Sequence, residues 1–139
     1  MEEKVPLTNV EILEAVRHWQ SVLGLGEWEI SIDIINTDYI SDSGEMARCL
    51  VDEDSMSAII VLAVDFPVEE VKKSIRHELL HIALYQMRSS FEDGVQLLGA
   101  ETQTVLTLRY SKSEESTVIR LERMLDRLLP EKDSEEENA

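Results

Sequence analysis

A single cysteine, Cys49, is the first scarcity in this chain of 139 residues. One thiol cannot close an internal disulfide, so a reducing compartment is expected and no disulfide framework holds the fold. Aromatic residues make up only 5% of the chain, and glycine and proline number 5 and 3. No internal repeat is visible, and no low-complexity block outside the acidic last residues. Basic residues are few as well: 13 Lys and Arg stand against 29 Asp and Glu, for a formal net charge of −16. An acidic surface repels phosphate backbones and anionic lipid, so nucleic acid and membrane surfaces are poor partners. The longest apolar run, Ala58 to Val64, is too short to cross a bilayer. The start, Met1-Glu2-Glu3-Lys4-Val5-Pro6, has no basic segment leading into an apolar one, and a cytoplasmic protein is expected.

What is present suits a globular fold. The hydrophobic fraction of 43% is enough for a modest core, and the length suits one domain. A single domain over residues 1–130 is expected, followed by an acidic disordered tail, 131–139, without apolar anchors.

The first helix opens at Thr8 or Asn9 as N-cap, carries Ile12, Val16, Trp19 and Leu23 on one face, and ends at Gly24-Leu25-Gly26. Trp28, Ile30, Ile32 and Ile34 alternate with polar residues in the period of a half-buried strand. A second strand is expected over Glu45 to Val51 and a third over Ser57 to Ala63, with the polar loop Asp52 to Ser55 between them. Pro67, Glu69 and Glu70 then start a long helix running to about Arg88, with Val71, Ile75, Leu79 and Ile82 as its apolar stripe. From Phe91 to Tyr110 the pattern allows a helix, but Gly94, Gly99 and the threonines weaken it. A last helix from about Ser113 to Leu129 carries Val118, Leu121, Leu125 and Leu128, and Pro130 closes it.

Within the long helix stands His77-Glu78-Leu79-Leu80-His81, which contains two of the chain's three histidines. Residues four apart share a helix face, so His77 and His81 can present two imidazole nitrogens to one Zn²⁺. Glu78, one position further round, can reach a water on that ion without ligating the metal itself. Zinc lowers the pKa of such a water towards about 7 and polarises a carbonyl. Glu78 is placed to accept the proton as general base and return it to a leaving amine. Two histidines and a glutamate at this spacing also arise by chance, as a metal-free core or surface pair; mid-helix register is what favours the metal.

A catalytic zinc site needs a third protein ligand. The remaining histidine, His18, lies in the first helix, and no histidine follows His81. A carboxylate at the start of the last helix is therefore expected. Glu114 aligns with Val118, Leu121 and Leu125, while Glu115 lies about a quarter-turn away. One of the two is a solvated glutamate that suits the helix dipole. Glu92 and Glu101 are weaker candidates, and Cys49 is a further one, although a lone cysteine is more often a small buried apolar residue.

With these residues the chain resembles the minimal zincins of the gluzincin type, particularly the small phage- and prophage-associated metallopeptidases described as SprT-like. The resemblance is carried by Trp28-Glu29-Ile30, the apolar third strand, Ile75 to His81, and Glu114 to Leu125. It implies an α+β fold, helices packed on a small, mostly antiparallel sheet of three or four strands. It implies one zinc ion held by His77, His81 and a late glutamate, and by the family's spacing Glu115 matches slightly better than Glu114. It implies a peptide substrate paired along an edge strand, here Ser57, Ala58, Ile59, Ile60 and Val61. Such sites often add an electrophile, for which Tyr110, Arg109 and Tyr85 are available. The chain departs from true SprT-like proteases in lacking a third site histidine, a zinc ribbon and a basic region, which speaks against DNA–protein crosslink repair.

The expected activity is zinc-dependent hydrolysis of peptide bonds in a protein or peptide substrate. Two other readings compete. One is a zinc-binding zincin scaffold that cuts nothing and serves as a protein-interaction module, such as a phage accessory protein. The other is a deformylase-like amidase using Cys49 with the two histidines, disfavoured because the glycine-rich surroundings of such enzymes are missing.

Overall fold

A computed structural model describes residues 9–35, 47–63 and 68–129. The elements are α1 (Asn9–Val22), β1 (Glu29–Ile35), β2 (Ala47–Asp52), β3 (Ser57–Ala63), α2 (Val68–Ala83), α3 (Tyr85–Val95) and α4 (Ala100–Leu128). The class is α+β, as the resemblance implies. The chain divides into two compact units, Met1–Ser89 and Ser90–Ala139. The 131–139 tail, Glu45, Thr8 and Pro67 lie outside the described residues.

In the first unit, α1 ends as its sequence suggests. Gly24 adopts the left-handed conformation at φ 71°, which a side chain would strain. The Leu25 N–H then donates to the Gln20 carbonyl at 2.8 Å, and that of Gly24 to Ser21 at 3.3 Å, the Schellman pattern. The Gln20 side chain adds bonds to the carbonyls of Leu25 (3.1 Å) and Trp28 (3.0 Å), which ties the helix end to the start of β1.

The sheet has three strands in the order β1-β3-β2. β1 runs parallel to β3, with Ile30 opposite Ala58 and Ile32 opposite Ile60; β2 runs antiparallel to β3, with Cys49 opposite Ile60. The sheet is thus mixed. Residues 53–56 form the hairpin turn, in which Met56 takes a positive φ of 50° and accepts a bond from the Glu29 N–H at 3.0 Å. Ser89 Oγ donates to Glu53 Oε2 at 2.5 Å, holding the start of α3 to this turn.

The expectation that Ser57 to Val61 is an edge strand is overturned. β3 is the central strand, hydrogen-bonded on both sides. The physical reason lies in its composition. Ile60, Leu62 and Ala63 are wholly buried and Val61 nearly so, which means that both faces of the strand are covered. A near-continuous apolar run is what two-sided burial demands.

One face of the sheet, with Ala58, Ile60, Leu62 and Ala47, packs with Ile12 and Val16 of α1 and Val71, Ile75, Leu79 and Ile82 of α2. The expected stripe of α2 is this core-facing row. Each fully buried aliphatic side chain contributes roughly 1.5–3 kcal/mol. Arg76, Glu78 and Leu80 are buried as well, so α2 is enclosed on more than one side. The helix does not run on to Arg88. It stops at Ala83, and Leu84 is a single turn residue before α3.

In the second unit, α4 starts 13 residues before the expected Ser113. Gly99 is its N-cap, without a side-chain cap bond. The Gln103 side chain instead donates to the carbonyls of Leu98 (2.8 Å) and Gln96 (3.3 Å), which ties the preceding turn to the first turn of α4 without capping its N–H groups. Phe91 of α3 stacks on Tyr110 of α4, with ring centroids 4.5 Å apart and planes 16° from parallel. Such a pair adds about 0.5–1.5 kcal/mol beyond the area it buries. Among the described residues, no helix is long and apolar enough to cross a membrane.

Candidate metal centre

His77 and His81 stand one turn apart on α2, both half-buried. The packing of α2 fixes that exposure. Ile75, Leu79 and Ile82 anchor the helix in the core, and the histidines fall on the strip beside that row. Their Nε2 atoms converge to 3.3 Å, with ring centroids 5.0 Å apart and planes at 67°.

The separation can be tested against an ion. Two nitrogens each about 2.0–2.1 Å from a tetrahedral zinc stand about 3.3–3.4 Å apart. The observed spacing fits without rearrangement. A proton shared between the rings would give a similar distance, so geometry selects the pair and metal content must select the occupant. Glu78 is buried at 8% exposure beside His77 in the chain, where water does not freely solvate its carboxylate.

Of the expected third ligands, Glu114 is buried at 7% exposure and Glu115 is exposed. The histidine pair belongs to the first unit, whereas Glu92, Glu101, Glu114 and Glu115 belong to the second. Cys49 is half-buried on β2, opposite Ile60 of the core. His18 is exposed on α1, edge-on to Trp19 with centroids 4.9 Å apart.

The expected electrophiles have separate environments. Tyr110 is half-buried in the stack on Phe91, Arg109 beside it is exposed, and Tyr85 is half-buried at the first position of α3. One residue that spacing did not single out is Arg76. Its guanidinium lies 5.4 Å from the centre of the Trp19 ring, and the side chain is buried at 5% exposure. A desolvated cation on an indole contributes about 1–2 kcal/mol. It joins the helix bearing His77 to α1. Arg76 lies one position off the apolar row, so spacing alone gave no signal for it.

A groove of about 570 Å³ lies in the first unit, lined by Leu13, Val16 and Arg17 of α1, Trp28 and residues of β1 and β3. Neither site histidine lines it.

No family model, curated protein or solved structure matches this chain.

Proposed function

We propose that the protein is a zinc-dependent hydrolase of peptide bonds, with His77, His81 and Glu115 as metal ligands and Glu78 as general base. The observation that carries this reading is the 3.3 Å approach of the two Nε2 atoms on successive turns of α2. The His, His, carboxylate donor set is the borderline-soft one that zinc takes in hydrolytic sites. When bound, zinc supplies Lewis acidity that brings the pKa of a coordinated water to about 7 and polarises the scissile carbonyl.

The chain's own residues do the rest. His77 and His81 contribute neutral nitrogens, each fixed by the packing of α2 rather than by a mobile loop, so little ordering remains when a ligand binds. The Glu78 carboxylate takes a proton from the attacking water and delivers it to the departing amine. Its burial strengthens its interaction with a nearby cation. An extended peptide pairs with β2 rather than β3. β2 is an outer strand of the described sheet, and α2 packs against it.

Two measurements test the proposal. Protein purified without added zinc is assayed for metal, with one equivalent expected. Glu78→Gln is then assayed on a peptide library, with zinc retained and turnover lower by about 10²–10⁴-fold. Full activity in that variant refutes the general base, and a metal-free protein indifferent to zinc refutes the site.

A further inference from the structure

The groove beside α1 and the starts of β1 and β3 is untouched by the metal reading. Leu13, Val16, Arg17 and Gln20 of α1 form one of its walls. Steps of three, one and three put them on a single face of that helix. Val16 is buried and Leu13 is 43% exposed. The other wall includes the half-buried Trp28 and Ile30 and the buried Ala58. The volume of about 570 Å³ falls within the roughly 300–1,000 Å³ of small-ligand sites.

Two polar groups of α1 define what the groove can hold. Arg17 is exposed and, among the described residues, its guanidinium has no hydrogen-bond or ion-pair partner. In a chain with 29 acidic residues against 13 Lys and Arg, a cation left unneutralised is open to an external anion. The second group is Gln20. Its side-chain nitrogen donates to the carbonyls of Leu25 (3.1 Å) and Trp28 (3.0 Å), which commits both amide protons. Its carbonyl oxygen is left as an acceptor for an N–H of the ligand. Glu29 also lines the groove, but strand alternation sets its carboxylate on the opposite face from Ile30.

Main-chain groups complete the wall. Trp28 to Ser31 and Ser57 to Ile59 line the groove as unbroken runs, although successive strand side chains point to opposite faces. Among the described residues β1 has a neighbouring strand on one side only, so main-chain N–H and C=O groups along its other side are open to pairing.

We infer that the groove binds the carboxyl-terminal end of an apolar peptide, extended beside β1. The terminal carboxylate meets Arg17, and the last side chains cover Leu13, Val16 and Trp28. A fatty acid would satisfy the cation and the apolar wall but would bring no N–H to Gln20 or β1. Neither site histidine lines the groove, and all measurements below are made in chelator, so failure here and failure of the zinc site are separable.

The test is isothermal titration of the full chain with N-acetyl-trileucine and with its carboxyl-terminal amide. The net charge of −16 disfavours an anionic ligand overall, so a preference for the free acid reports a local cation. The acid should bind about five- to tenfold more tightly than the amide. Arg17→Met should abolish that preference, whereas Arg120→Met, which removes an exposed cation of α4, should keep it. Leu13→Ser should weaken binding about fivefold, because the ligand covers the part of Leu13 still in solvent. N-acetyl-triglycine and decanoate should each bind more weakly than N-acetyl-trileucine. Circular dichroism checks that each variant is folded. No measurable binding of N-acetyl-trileucine overturns the inference, as does equal binding of acid and amide or a preference that survives Arg17→Met. Decanoate bound as tightly as the peptide overturns the assignment to a peptide.

Discussion

Replacing His81 by alanine separates a metal-binding pair from two imidazoles that share a proton. Zinc at about a hundred times its dissociation constant stabilises a folded chain by about 2.7 kcal/mol. For a domain of this size, each kcal/mol moves the melting temperature by about 4 °C. The wild type should therefore melt about 10 °C higher in zinc than in chelator. His81→Ala removes one of the two nitrogens that stand 3.3 Å apart. The remaining ligands form no tetrahedral set, so the zinc-dependent rise should collapse to about 2 °C or less. In chelator the two proteins should melt within a few degrees of each other, because His81 is half-buried and its loss opens little core. Differential scanning calorimetry of both proteins, in both conditions, makes the comparison. If the rings only share a proton, zinc should not move the wild type, and the substitution should cost about 0.5–1.5 kcal/mol with or without it. That outcome, or an equal zinc shift in both proteins, refutes the reasoning.

The two late glutamates should part company. Glu115→Gln should weaken zinc binding at least about tenfold, the lower end of what even outer-shell changes cost, whereas Glu114→Gln should leave affinity in place. Isothermal titration with zinc decides between them. Leu79→Ala, at a wholly buried position of α2, should cost about 2–5 kcal/mol in urea unfolding. Gly24→Ala should cost about 1–2 kcal/mol by the same assay, because the φ of 71° is strained for any residue with a Cβ and not because of crowding, since no atom lies within 4 Å of that Cβ position.

The elements of the first unit were legible where one physical signal dominated. Ile12 and Val16 on α1, and Val71, Ile75, Leu79 and Ile82 on α2, recur at helical spacing because a single side of each helix faces the core. β3 was legible as a strand but was misplaced at the edge. Its run from Ala58 to Ala63 has almost no polar interruption, and the residues from Ile60 onward are buried on both faces. The edge assignment came from the resemblance; the pattern itself spoke for the centre. The stop at Leu84 had no signal, since neither glycine nor proline stands there. The start of α4 was hidden for the opposite reason. Gly94, Gly99 and the threonines between Phe91 and Tyr110 read as breakers, yet the Thr104 hydroxyl donates to the carbonyl four residues back at 3.0 Å, as Thr117 does further along the helix at 2.8 Å. These bonds satisfy side chains that would otherwise compete with the helix.

The same division runs through the site. His77 and His81 are bound by the period of one helix, so their approach follows from local geometry and could be read from a spacing of four. The third ligand has no such constraint. Glu114 and Glu115 are neighbours in the chain, 100° apart on α4, and both satisfy any rule written in terms of sequence distance. What distinguishes them is environment: Glu114 is buried at 7% exposure and Glu115 is open to solvent. Chemistry within a turn of helix is therefore written in the sequence, while the choice between adjacent carboxylates belongs to packing.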